Sequence, residues 1–186
     1  MKFIRAENRS DKLTNLLFVI YLAALFWIVV WKLNVPFSYG HLRSINFIPF
    51  REPLFLNGKI DFGEIIMNVV IFVPLGIYAG ILFKRWNIRK KILLFFLTSL
   101  MCESLQFILA IGAADITDII DNTLGGVTGL LLFKGIENSL GNSLRAQKFI
   151  NVVATTGTIT MILFLFLLKI DALWIIGIHF RYRSGN

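Results

Sequence analysis

Cysteine is nearly absent from this chain of 186 residues: the 1 that occurs, Cys102, lies inside an apolar run. An intrachain disulfide is therefore excluded, as is a zinc site built on several thiolates. Cys102 reads as a small buried hydrophobe. Histidine is almost as scarce, with His41 in a broken segment and His179 close to the end of the chain. No Gly-rich phosphate loop, GxSxG or HExxH occurs, so the familiar nucleotide, serine-hydrolase and zinc-protease sites have no anchor. No lipid-anchoring motif and no internal repeat is visible. Acids are few, 11 against 19 Lys+Arg, for a formal net charge of +8.

Apolar residues fill the space these absences leave. They make up 56% of the chain, the mean hydropathy is +0.74, and they come in uninterrupted runs. A soluble core does not need such runs, whereas a bilayer span takes roughly 20 consecutive apolar residues. The cations lie mostly in short segments between the runs, so they read as topology signals, and nucleic acid is not an expected partner. The amino terminus is basic, but the apolar stretch behind it is too long for a signal peptide and reads as a retained first helix.

Five runs are long enough to span: about Leu13–Leu33, Phe62–Phe83, Ile92–Ile111, Ile116–Phe133 and Val152–Leu168. A re-entrant fifth run would leave four spans. Asn34–Lys59, with Pro36, Pro49 and Pro53, is too broken to span and reads as an ordered loop or a surface segment. The expected fold is an all-α, polytopic transmembrane bundle. Residues 1–12 form a basic amino terminus, 13–178 the membrane domain and 179–186 a short polar tail. The segments holding Lys2, Arg5, Arg9 and Lys12, then Lys84, Arg85, Arg89, Lys90 and Lys91, then Lys134, Arg145 and Lys148 are richer in cations than the alternate set. By the positive-inside rule that set, and the amino terminus with it, faces the cytoplasm. Localisation in the cell membrane follows.

Polar residues inside the runs are costly in hydrocarbon and call for a partner, water or a task. Glu64 and Asn68 are four apart on the second run. Ser99, Glu103 and Gln106 follow steps of four and three on the third, and Asp115, Asp118 and Asn122 steps of three and four on the fourth. Each set occupies one helical face, whereas Asp121 points roughly 100° away from Asn122. At a rise of about 1.5 Å per residue, Glu103 lies roughly 12 Å deep, and Gln106, Asn68 and Asn122 about half as deep. All fall in the predicted outer half, where three helices can aim polar stripes at one outward-open pocket. His41, Arg43, Asn46 and Arg51 in the preceding loop are placed to cover it. Such a set can hold a divalent cation, act as acid and base on a lipid headgroup, or bind an amine or a sugar. Asp115 can also serve as a helix cap, and Asn68 and Gln106 as hydrogen-bonding glue between helices. Pro74 frees a backbone carbonyl in the second helix. Gly76/Gly80 and Gly125/Gly129 have the spacing of close helix packing.

The runs NVVIFVPLG (Asn68–Gly76), ESLQ (Glu103–Gln106) and DITDIIDNTLGG (Asp115–Gly126), with RSINFIPF (Arg43–Phe50) upstream, resemble the VanZ-like family over about Arg43–Phe133. Residues similar to the family's pattern coincide with the polar stripes. Many relatives have an Arg after the glycine that precedes the Asp motif; here Gly112 is followed by Ala113 and Ala114. The resemblance implies a bacterial membrane protein with a role in teicoplanin resistance or, more widely, in the cell envelope. Lipids and a lipid-linked wall precursor or lipoglycopeptide are the implied partners. On this reading Glu103 and Asp118 are the candidate acid/base or metal ligands. Asn68, Gln106, Asn122, Asp115, Glu64, Arg43, Asn46 and Arg51 are the candidate ligand-binding residues. The alternative is a non-enzymatic scaffold or transporter-like protein whose polar groups only join helices.

Overall fold

The computed structural model describes residues 2–31, 45–46, 48–49, 55–56, 59–60, 62–109 and 114–183. It is built on five helices: α1 (Lys2–Trp31), α2 (Gly63–Leu82), α3 (Ile88–Leu109), α4 (Ile116–Leu140) and α5 (Ser143–Arg183). Among the described residues four two-residue strands accompany them: β1 (Ile45–Asn46), β2 (Phe55–Leu56), β3 (Lys59–Ile60) and β4 (Ala114–Asp115). β2 and β3 pair antiparallel. β1 and β4 pair parallel, with Ile45 opposite Ala114 and Asn46 opposite Asp115.

Among the described residues, four helices contain stretches long and apolar enough to cross a membrane: Ser10–Val29, Ile65–Leu82, Ile88–Leu109 and Ile116–Leu140. The helices run past the apolar limits expected from sequence. α1 begins at Lys2, α4 continues beyond Phe133, and α5 is one 41-residue helix where a span and a tail were expected. Hydropathy marks where lipid would begin, whereas a helix ends only at a breaker or a cap. α1 has no Gly or Pro. α4 stops at Gly141, whose φ of 61° is the left-handed conformation that glycine adopts without strain. Asn142 then caps α5, accepting from Leu144 N at 2.7 Å. Asn87 opens α3 in the same way, accepting from Lys90 N at 2.9 Å, beside Trp86 stacked on Phe83.

The chain divides into two units, Met1–Gln147 and Lys148–Asn186. The second is the remainder of α5, which exposes Val152, Val153, Ile159, Ile162 and Leu163. The first holds the core: Leu25, Val29, Phe72, Leu75, Ala79, Phe95 and Cys102. Its burial is inverted relative to a protein folded in water. Leu16, Val19, Ile66, Val70, Leu97 and Leu131 are exposed, while Ser99, Gln106 and Asn122 are fully buried. Such an arrangement suits hydrocarbon as the surrounding solvent.

α2 and α4 are the most closely packed pair, and glycines permit it. A Cβ at Gly125 would meet the Val69 carbonyl, one at Gly129 the Val73 carbonyl, and one at Gly80 the Phe133 ring. Residue numbers rise together along this contact, so the two helices run parallel. The expected role of these glycines in close helix packing is realised. α1 closes the other side of α2. Its Tyr21 hydroxyl donates to the Ile71 carbonyl at 2.9 Å, and the hydroxyl oxygen lies close to the Leu75 backbone N–H. Pro74 has no N–H for the Val70 carbonyl, one residue before Ile71, so the α1 side chain bonds α2 beside the interruption in its ladder.

Candidate functional site

The beginnings of α2 and α4 and the end of α3 meet at one end of the first unit, and the polar stripes converge there. Asp115 is the N-cap of α4: its Oδ1 accepts from Thr117 N at 2.7 Å. Its Oδ2 accepts from Asn46 Nδ2 at 3.0 Å, and its own backbone N–H donates to Glu103 Oε2 at 3.2 Å. The capping role expected of Asp115 is thus combined with two tertiary contacts. The parallel β1–β4 bridge explains how Asn46, distant in sequence, reaches this cap. Asn46 also accepts from Ile48 N through Oδ1 at 3.1 Å, which tightens the loop behind it.

One turn further into α4, Asp118 Oδ1 accepts from Asn68 Nδ2 of α2 at 2.7 Å, a short hydrogen bond between the two helices. Another turn inward, Asn122 Nδ2 donates to Ser99 Oγ of α3 at 2.9 Å. Gln106 turns to α1, where its Nε2 donates to the Val29 carbonyl at 2.8 Å. All but Asn68 are almost wholly buried: Glu103 is 2% exposed, Asp118 7%, and Gln106 and Asn122 0%. Three carboxyl groups, Glu103, Asp115 and Asp118, and the carboxamides of Asn46 and Asn68 therefore gather at this end, with the carboxamides of Gln106 and Asn122 on α3 and α4. The helical stretches 13–31, 62–83, 92–109 and 114–133 contain no Lys, Arg or His. The helices supply acceptors and amide donors to this site, and no cation.

Of the candidates read from sequence, Asn46, Asn68, Glu103, Asp115 and Asp118 are drawn together. Asn122 lies one turn deeper with Ser99, and Gln106 faces α1. Arg43 and Arg51, like His41, lie outside the described residues, as does the side chain of Glu64. Asp121, which spacing sets on another face, is also buried, at 3% exposure. Its step of three from Asp118 was the available signal. Tyr21 was missed because a tyrosine inside an apolar run attracts no notice without knowledge of the helix break beside it. A second polar group also went unread. Gln147 Nε2 donates at 2.9 Å to both Asp11 Oδ1 and Thr14 Oγ1, and Thr14 Oγ1 donates to the Ser10 carbonyl. It ties the start of α5 to α1 at the opposite end.

Among the described residues, no three His, Cys, Asp or Glu side chains are grouped to hold a metal ion. What the arrangement can do is accept hydrogen bonds, hold positive charge, and move a proton at Glu103 or Asp118.

The VanZ/LLP1 family profile matches residues 18–141, which include α2, α3 and every residue of the polar end. Protein VanZ of Enterococcus faecium is 38% identical over 153 residues, covering 80% of this chain and 88% of that protein. No solved structure matches the chain. A match that takes in the helices, the glycine contact and the polar cap together places this chain in the VanZ/LLP1 family of membrane proteins.

Proposed function

We propose that this chain lowers the susceptibility of a bacterial cell to teicoplanin through the polar end of its bundle. That end opens to the outer leaflet and engages a lipid-linked wall precursor or the lipoglycopeptide itself. The observation that supports this reading is the burial of Glu103, with Asp115 and Asp118 in neighbouring turns, inside helices whose exposed faces are mainly apolar. Carboxyl groups there are costly, and joining helices requires no acid: Gln106 and Asn122 already do so as amides. The outward orientation rests on the charges. Lys84, Arg85, Arg89 and Lys90 are exposed near the α2–α3 turn, at the opposite end from the cluster, and such a basic end belongs in the cytoplasm. In this role Glu103 and Asp118 bind the ligand or act as acid and base. Asn68 and Asn46 hold the acids in place, and Arg43 and Arg51 meet anionic headgroups.

The test is teicoplanin susceptibility of a sensitive host expressing the chain, beside Glu103→Gln and Asp118→Asn at matched membrane levels. Protection by the wild type and its loss in both variants is the expected result. Equal protection by all three would favour the scaffold reading, in which the acids only join helices. No protection by any of them would remove the resistance role.

A further inference from the structure

The α2–α3 turn carries charge of one sign. Lys84, Arg85, Arg89, Lys90 and Lys91 fall within residues 65–102, which contain no Asp or Glu. Lys84, Arg85, Arg89 and Lys90 are exposed, and among the described residues none of these four forms an ion pair. Nor do the cations serve α3 itself. Arg89, Lys90 and Lys91 stand at its start, where the partial positive charge of a helix end disfavours them, and its last turn has no basic residue. The turn is nevertheless fixed in shape. Asn87 Oδ1 accepts from Lys90 N at 2.9 Å, and Trp86 N donates to the Phe83 carbonyl at 3.0 Å.

Apolar side chains set the depth of these charges. Trp86, Ile88, Ile92 and Leu93 are exposed among them, and the apolar span of α3 already begins at Ile88. Arg85, Arg89 and Lys90 therefore lie within a few residues of the hydrocarbon edge. Trp86, stacked on Phe83 with ring centroids 4.5 Å apart, suits that boundary. A cation at this depth meets lipid headgroups before it meets anything dissolved in the water beyond them.

We infer that the α2–α3 turn binds the phosphate of an anionic membrane lipid, one whose headgroup carries net negative charge. Guanidinium groups match phosphate oxygens with paired N–H donors, and the lysines add point charge. A zwitterionic phosphatidylcholine brings its own cation to the same place and gains less. Charge complementarity and depth carry this inference, and it stands apart from the reading of the carboxylate end.

The test reconstitutes the purified full chain in bilayers of equimolar phosphatidylglycerol and phosphatidylcholine with identical acyl chains. The chain is then extracted in mild detergent, and the lipid it retains is quantified by mass spectrometry. An anionic headgroup favours each nearby cation by roughly fivefold, so retention of phosphatidylglycerol over phosphatidylcholine is expected at roughly tenfold after screening. Arg85→Gln/Arg89→Gln/Lys90→Gln is expected to bring that ratio to about twofold or less. Lys12→Gln/Arg145→Gln/Lys148→Gln removes as many exposed cations elsewhere and is expected to keep most of the preference. Thermal unfolding in phosphatidylcholine alone shows that each variant is folded. Should the first variant fold poorly, the wild type decides: its preference is expected to collapse when the wash contains about 1 M salt, where the screening length is roughly 3 Å. Equal retention of the two lipids by the wild type would overturn the inference. So would a preference that survives in the folded first variant or in high salt, or one that both triple variants lose equally, since the turn would then be no more than part of the total charge.

Discussion

The Asn68–Asp118 hydrogen bond joins α2 to α4 through two side chains that neither helix needs for its own formation. Removing the donor withdraws one partner from a buried carboxyl group. Asn68→Leu is expected to lower stability by about 1–3 kcal/mol, read as thermal unfolding of the purified chain against wild type. Tyr21→Phe removes the hydroxyl that donates to the Ile71 carbonyl and is expected to cost about 0.5–1.5 kcal/mol in the same assay. A variant as stable as wild type would mean that this bond between α1 and α2 contributes nothing net. Residues of the first kind were legible in the sequence, because an amide or acid within an apolar run stands out and its spacing assigns it to a face. Tyr21 was not, because tyrosine is at home in such runs and its partner is a backbone carbonyl on another helix. The pairing of Asn122 with Ser99 required knowledge of how deeply α3 and α4 overlap, which spacing within one helix cannot supply.

At the scale of elements, Gly129 and Gly135 of α4 differ in what a side chain there would meet. A Cβ at Gly129 would overlap the Val73 carbonyl, which is backbone and cannot swing aside, whereas one at Gly135 meets nothing within 4 Å. Gly129→Val is therefore expected to destabilise by at least about 1–3 kcal/mol, the range of an overpacked core. Gly135→Ala is expected to stabilise by about 0.8–1 kcal/mol, through helix propensity alone. Unfolding of the two variants side by side checks both signs. Similar effects at the two sites would contradict the packing described. The small-residue spacing predicted close packing in advance, and the parallel direction of α2 and α4 follows from successive crossings. Helix lengths were less legible. Lys2–Lys12 and the segment after Phe133 continue as helix because nothing in them stops it, although they are too polar to count as span.

For the whole molecule, the all-α class and the end at which the acids gather could be read from sequence. The β1–β4 bridge that brings Asn46 to Asp115 could not, since two-residue strands carry no periodic signal and join segments far apart in the chain. The central claim is that this acid-rich end faces outward while the basic α2–α3 turn faces the cytoplasm. Single cysteines decide it, in a Cys102→Ala background that removes the chain's one native thiol. Phe62→Cys lies at the start of α2, beside the acid-rich end, and Arg85→Cys in the turn; both parent residues are exposed. In intact cells a membrane-impermeant maleimide is expected to label the cysteine at position 62 and to leave the one at 85 unlabelled until the membrane is opened. Labelling at 85 with protection at 62 would invert the bundle and contradict an outward-facing site.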